Sequence, residues 1–301
     1  MPGEEKVTVE VEGRRLGLTN LGKQLFPDGT TKGQLLDYYS RIAPVLLPHL
    51  ADRPLTLKRY PNGTQAGFFY EKNAPRGRPD WVRTVTLPAP GSTKSRETID
   101  YVVCGDLPTL VWVANLASVE LHTPQYRVDA DGAALPSDQL VLDLDPGAPA
   151  ALADCARVAL LLRDELGGVL PGPVQAKTSG NKGMQLVAPW SAAAADDSSS
   201  VAAKALAERL ERAHPTLVVS RMAKVLRPGK VLVDWSQNNR AKTTVSVYSL
   251  RARELPAVSA PVSWAEVEAA AEGAPLLLTA SDVLARVAAH GDPFAGLTRS
   301  H

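Results

Sequence analysis

Asp143 and Asp145 close the apolar run LVLDLDP (140–146). On a strand, residues i and i+2 point to the same face, so both carboxylates project together. Two acids held that close repel unless a cation lies between them, and oxygen-only ligands favour Mg²⁺ or Mn²⁺. The same letters also fit a strand running into an acidic turn. Asp234 is the single acid in a second apolar run, VLVDW (231–235). A lone Asp there needs either a metal or a salt bridge to one of the eight Lys/Arg of residues 221–253, because an unpaired buried charge is expensive. Three carboxylates from two strands form the usual ligand set of two-metal phosphoryl transfer.

Other segments carry chemistry that complements these acids. TSGNKG (178–183) offers the Ser179 hydroxyl, the Lys182 charge, and Gly180 and Gly183, where backbone can approach a ligand. It also fits a plain hairpin turn, and it is neither a Walker A loop nor a dinucleotide fingerprint. Lys58-Arg59 followed by Phe68-Phe69 suits phosphate neutralisation with base stacking. Alternation predicts that one of the two Phe side chains enters the core. Lys242, Arg251 and Arg253 fall on a late β segment, with Arg251 and Arg253 expected on one face, toward anions or simply toward solvent. His122, in ELHTPQY, is a lone histidine that suits a ligand site or a structural role equally well.

The elements that must position these residues can be read from the hydrophobic pattern. Val7, Val9 and Val11 alternate as a strand before a turn at Gly13. Thr30 or Thr31 caps a helix through QLLDYYSRIAPVLLPHL, expected to bend at Pro44. Strands are predicted at 55–60, 99–103, 140–146, 174–178 and 184–189. Helices are predicted at 108–118, at 149–167 ending on Gly167-Gly168, up to Arg212, at 263–273 and at 280–290. KVLVDW (230–235) and KTTVSVYSL (242–250) read as a hairpin joined by SQNNRA. Residues 72–96 read as irregular surface, and SAAAADDSSS (191–200) as a loop. Strands and helices mix without strict alternation, which favours α+β.

The chain has 301 residues, room for about two compact units or one large one. Its apolar (45%) and charged (22%) fractions are those of a globular protein. A mean hydropathy of -0.10 and the lack of an 18-residue apolar run argue against a membrane span. No secretory pattern opens the sequence, and Cys104 and Cys155 make neither a disulfide framework nor a metal-spaced pair, so a cytoplasmic setting is expected. The net charge of +1 conceals a pattern. Residues 53–96 carry nine Lys/Arg against two acids, 101–200 five against twelve, and 221–253 eight against one. Basic blocks flanking an acidic centre suit a polyanion cradle around a metal site, although a solvated surface gives similar counts.

Together these segments resemble the polymerase domain of bacterial DNA ligase D, within the archaeo-eukaryotic primase superfamily. The resemblance runs in order through TNLGKQLFPDGTTK, LKRYPNG, FFYEKNAP, VELHTPQY, LVLDLDPG, TSGNKG, LRPGKVLVDWSQN and KTTVSVYSLRAR. It implies an α+β primase-polymerase core with an RRM-like sheet flanked by helices. As a single catalytic domain over 1–301, this divides into an end- and template-binding part (1–100), a catalytic core (101–255) and a helical tail (256–301). It implies template-dependent addition of NTPs or dNTPs to primer 3′ ends at gaps and double-strand breaks in non-homologous end joining, by a monomer near the nucleoid, alongside Ku and an ATP-dependent DNA ligase. By position, Asp143, Asp145 and Asp234 match the ligands of two Mn²⁺ or Mg²⁺ ions. Lys58, His122, Ser179, Lys182, Gln237, Lys242 and Arg251 match the incoming-nucleotide site. Asn20, Lys23 and Lys32 match a pocket for a downstream 5′-phosphate, and Phe68 and Phe69 the aromatic pair on template bases. Arg59, Arg227 and Arg253 complete the expected DNA contacts.

Two positions depart from the family pattern. Gln185 stands where the glycine loop usually continues to His, and Tyr126 where Trp is common. Gln donates a hydrogen bond but carries no charge, which predicts a weaker hold on a triphosphate. Two other functions compete with polymerisation: a catalytically silent DNA-end-bridging module, and a metal-dependent nuclease using the same acids.

Overall fold

Chain order follows local chemistry closely. The computed structural model describes residues 6–89, 97–167, 170, 172–191 and 198–298. Strands β1 (Lys6–Val11) and β2 (Arg14–Thr19) form a hairpin whose turn, Glu12-Gly13, is left-handed at both residues. Helix α1 (Lys32–Leu50) starts on a capping box: Gln34 N donates to Thr31 Oγ1, and Thr31 N donates to Gln34 Oε1. It runs on through Pro44 and Pro48. Next come β3 (Pro54–Arg59), β4 (Phe69–Glu71), β5 (Thr84–Pro88) and β6 (Thr98–Val103). Helix α2 (Leu107–Asn115) is capped by Asp106 and leads into β7 (Ser118–Thr123), β8 (Tyr126–Val128) and β9 (Ala134–Ser137). The second half comprises β10 (Gln139–Pro146), α3 (Leu152–Leu166), β11 (Gln175–Thr178), β12 (Met184–Pro189), α4 (Ser198–Ala213), β13 (Val218–Val219) and β14 (Val231–Asp234). Four two-residue strands, β15 (Thr244–Val245), β16 (Leu250–Arg251), β17 (Ala257–Val258) and β18 (Pro261–Val262), precede α5 (Trp264–Ala271) and α6 (Ala280–His290).

The fold is α+β. One six-stranded sheet has the order β13-β14-β10-β12-β11-β18, antiparallel except for the parallel pair β13–β14. A second runs β15-β7-β3-β6-β5, with β4 added beside β3. Strand alternation divides the first sheet's faces. Leu140, Leu142 and Leu144 join Leu186 and Val233 in a core closed by Cys155, Leu162, Leu206 and Val267 of α3, α4 and α5. The intervening residues face the other way: Val141 and Val187 enter the core shared with α1, α2, β3 and β7, while Asp143 and Asp145 lie farther along that face.

Three sequence expectations are corrected. KVLVDW and KTTVSVYSL do not pair as a hairpin. Asp234 caps a 3₁₀ turn (Trp235–Asn238), and the chain then crosses to the second sheet, where β15 pairs with β7. The apparent long strand breaks at Tyr248, whose φ is 64°, so β16 pairs instead with β17. Residues 72–96 are not wholly irregular, since TVTLP forms β5 against β6. VELHT is a strand as well; all six residues of β7 are buried, which leaves no alternation to read. Gly168, residues 90–96 and residues 192–197 of the expected loops lie outside the described residues.

Candidate active site

The acids are brought together by sheet register. Asp143 on β10 stands opposite Asp234 on β14, and opposite Gln185 on β12 at its other side. Gln185 in turn faces Lys177 on β11. A single row, Asp234–Asp143–Gln185–Lys177, therefore crosses four strands, with Asp145 one step along on the same face. Gln185 Nε2 donates to Asp143 Oδ1 at 3.0 Å. Asp234 Oδ1 accepts from Ser236 N at 2.9 Å and from the Ser236 hydroxyl, while its Oδ2 accepts from Gln237 Nε2 at 2.9 Å. Lys242 Nζ reaches the Ser236 hydroxyl and extends the chain of contacts. Gln185 thus contacts Asp143 from inside the sheet.

Desolvation, and then the charges of Asp145 and Asp234, push the Asp143 carboxyl up to about 7; Gln185 and Lys177 pull against that rise. Asp145, more exposed, is raised by desolvation and by Asp234, with Arg227 and Arg251 opposing. Buried Lys177 is lowered to about 7 by desolvation, and its Nζ donates to Val245 O at 3.0 Å and Ser259 Oγ at 2.6 Å. Among the described residues, no three His, Cys, Asp or Glu side chains converge tightly enough to hold an ion as they stand. Gln185, Ser236 and Gln237 hold Asp143 and Asp234 instead. The donor chemistry nevertheless fits a hard divalent cation: hard oxygens stand on neighbouring strands, and Asp143 and Asp145 are raised by desolvation and by the acids beside them, a cost that such a cation would relieve.

The 178–183 loop packs against this row. Ser179 Oγ accepts from Asn181 N and Gly183 N, both at 3.2 Å. A Cβ at Gly183 would lie 2.0 Å from Leu144 O, and one at Gly180, where φ is 66°, 2.6 Å from Arg251 Cγ. These glycines therefore let the loop approach β10 and Arg251 rather than merely clearing space for a ligand. Lys182 is exposed at the loop tip. Arg227, also packed on β10 by its backbone beside Gly147, donates to Met222 O.

A second cluster lies on β3, β7 and β16. Its centre is Glu120, only 2% exposed and absent from the residues singled out in the sequence. Glu120 Oε1 receives Lys58 Nζ at 3.1 Å, Tyr60 OH at 3.2 Å and Ala252 N at 3.3 Å. Its Oε2 receives His122 Nε2 at 3.1 Å, with Arg251 Nη1 at 3.5 Å. Despite desolvation, hydrogen bonding by His122 and the charges of Arg251 and Lys58 bring the carboxyl down to about 2. Desolvation lowers His122, against the pull of Glu120. Glu120 and His122 are i and i+2 on one strand, the only signal the sequence offered for this acid.

Above the cluster, Phe68, Phe69 and Tyr70 are 52%, 44% and 51% exposed. Neither Phe enters the core as alternation predicted, because β4 is a three-residue edge strand paired only to β3. Phe68 covers Lys58, whose Nζ lies 4.1 Å from the ring centroid, and Phe69 covers Arg59 at 5.1 Å. Arg59 also donates to Leu116 O at 2.8 Å and Glu71 Oε2 at 2.6 Å, so it braces the strand. Arg251 and Arg253 do not share a face: β16 stops at Arg251, which turns inward, while exposed Arg253 donates to Asn181 Oδ1 at 2.6 Å. Asn20, left-handed at φ 52°, accepts the backbone N–H of exposed Lys23 at 3.0 Å, and Lys32 N donates to Lys23 O at 2.8 Å. Lys32 is buried, its Nζ donating to Thr19 O at 2.6 Å. Tyr126 is buried beneath Arg240, 4.8 Å from its ring.

Comparison with known proteins places this arrangement among relatives. The family model of the LigD primase-polymerase domain matches residues 31–294. The multifunctional non-homologous end joining DNA repair protein LigD of Mycobacterium tuberculosis is 42% identical over 287 residues, 93% of this chain and 36% of that protein. The bifunctional non-homologous end joining protein LigD of Bacillus subtilis is 31% identical over 290 residues, 95% of this chain and 44% of the relative. The chain thus spans less than half the length of these curated relatives. The solved polymerase domain from Mycobacterium tuberculosis ligase D in complex with DNA superposes with a TM-score of 0.87 at 40% identity, covering 94% of this chain and 98% of that one.

Proposed function

The chain belongs to the LigD primase-polymerase domain family, and on that premise we propose that it is a nucleotidyltransferase that extends primer 3′ ends at gaps and double-strand breaks. The observation that carries the reading is the register Asp143↔Asp234 with Asp145 on the same face, beside Arg251, whose charge acts on both Asp145 and Glu120. Acids for cations and cations for phosphates are what nucleotide addition needs in one place.

In this reading Asp143, Asp145 and Asp234 hold two divalent ions, Mn²⁺ or Mg²⁺. Bound there, such ions would supply positive charge to neutralise the triphosphate and acidify the attacking hydroxyl. The chain's own groups then bind and orient. Arg251, Lys58 and Lys182 meet phosphate oxygens as charged donors, with Ser179, His122, Gln237 and Lys242 around them. Phe68 and Phe69 offer faces to template bases, with Arg253 and Arg227 toward the DNA backbone. Asn20, Lys23 and Lys32 receive a downstream 5′-phosphate, with exposed Lys23 making the direct charge contact. We also propose a single catalytic domain acting as a monomer in the cytoplasm with Ku and an ATP-dependent ligase; no helix among the described residues is long and apolar enough to cross a membrane.

Primer extension on a gapped duplex, with Mn²⁺ and each NTP and dNTP in turn, tests the proposal. Extension dictated by the template is expected. Shortening of the primer would identify a nuclease, and binding without any change in length an end-bridging module.

A further inference from the structure

Glu120 is a full negative charge at the centre of a site proposed for a polyanion. By Coulomb's law alone it should weaken nucleotide binding, since it cancels part of the attraction of Lys58 and Arg251. Its geometry points the other way. Both oxygens are saturated by groups from three parts of the fold: Lys58 and Tyr60 at the end of β3, His122 on β7, and Arg251 with the Ala252 backbone at β16. At 2% exposure it cannot reach a ligand without dismantling these contacts.

The partners also have alternatives that Glu120 prevents. Lys58 lies among three aromatic rings, 4.1 Å from the Phe68 centroid, 5.4 Å from Tyr60 and 5.8 Å from Tyr70. That aromatic cage can hold an ammonium on its own. Arg251 packs against Gly180, in the same loop that meets β10 at Leu144, the residue between Asp143 and Asp145. Only the carboxylate ties Lys58, His122 and Arg251 to one point, and a cation left untethered loses rotamer order that binding must then restore.

We propose that Glu120 is a positioning residue of the nucleotide site, an internal counter-charge that fixes Lys58, His122 and Arg251 where a triphosphate needs them, so that an acid raises affinity for an anion. The inference rests on the nucleotidyltransferase reading above and adds a residue to it.

Two substitutions separate position from charge. Glu120→Asp keeps the charge and withdraws the carboxylate by one methylene. Glu120→Gln keeps the shape, removes the charge and turns a donor toward other donors. In the full chain with Mn²⁺, ATP affinity is measured by calorimetry without DNA, KM and kcat by primer extension, and Tm by scanning. Both variants should raise Kd and KM for ATP by about tenfold, the order expected when a charge-assisted hydrogen bond to a phosphate loses its alignment. Affinity for DNA and kcat at saturating ATP should change little. Tighter ATP binding by Glu120→Gln, with Glu120→Asp unaltered, would overturn positioning in favour of simple charge. Collapse of Tm in Glu120→Asp would also overturn it and assign Glu120 to the fold alone. Failure of the unmodified chain to bind ATP with Mn²⁺ would remove the nucleotide site itself, and this inference with it.

Discussion

In the acid row three carboxylates share one face of neighbouring strands, and the groups touching Asp143 and Asp234 are neutral: an amide from Gln185, another from Gln237, a hydroxyl from Ser236. In the cluster around Glu120 one carboxylate faces two permanent cations and an imidazole. The first region has too much negative charge for its partners and the second too much positive. Their carboxyl groups record it, Asp143 raised to about 7 and Glu120 lowered to about 2. The difference teaches what the two regions are missing. Divalent cations would relieve the first and phosphates the second, and a nucleotide with its metal ions brings both at once.

The most damaging way to break this comparison is to empty the acid row. Asp143→Ala or Asp145→Ala should reduce nucleotide addition to less than about 1% of wild type, because organised charge at the transferring phosphoryl group supplies most of the catalysis. Binding of gapped DNA should be retained, since the cations lie elsewhere. Extension above a few per cent in either variant would show that the row does not carry the reaction.

How far the site could be read in advance depended on whether its signal was local. Asp143 and Asp145 were legible because acids at i and i+2 at the end of an apolar strand project to one face. Their alliance with Asp234 was expected from a second apolar run with one acid, but the register that sets it, joining residues 91 positions apart (234 − 143), is visible only in the fold. Gln185 was recognised as a departure, yet the row that turns it toward Asp143 exists only when β12 lies beside β10. Glu120 passed unnoticed between Val119 and Leu121 because a strand buried on both faces has no polar side to mark an inward acid. Tyr248 misled in the other direction: its segment alternates like a strand, and a single left-handed residue breaks it. For the fold at large, the helices were the most legible elements, since capping residues such as Thr31, Ser263 and Thr279 announce them locally.

A smaller effect is expected at the edge of the cationic region. Lys23 is exposed while its neighbour Lys32 is buried against Thr19, so the two lysines of the proposed end pocket are not equivalent. Lys23→Ala should remove about 1–2 kcal/mol of the preference for a 5′-phosphorylated gap over a 5′-hydroxyl one, the value of one charge-assisted contact. Lys32→Ala should instead lower Tm, by loss of a buried tie to β2. Binding of both duplexes with equal affinity by the unmodified chain would remove the pocket.

The finest test uses stability, because the two regions should respond to pH with opposite sign. Asp143 is raised in the folded state, so the stability tied to its protonated form is complete below about pH 4 and is lost as pH climbs through about 7. Glu120 is lowered, so its contribution is complete above about pH 4.5 and is lost as pH falls toward 2. Asp143→Asn removes the first titration. Its Tm relative to wild type should rise between pH 4 and 8, by about 2–4 °C for each kcal/mol involved, and Mn²⁺ should narrow the gap by restoring wild type alone. Glu120→Gln removes the second. Its Tm should lie below wild type at pH 6, with the deficit shrinking as the pH is taken below 4. Parallel Tm profiles for Asp143→Asn and wild type would mean that the acid row carries no repulsion for a cation to relieve. A constant deficit for Glu120→Gln would mean that its cations do not hold the carboxylate ionised, and the contrast between the two regions would then lose its electrostatic basis.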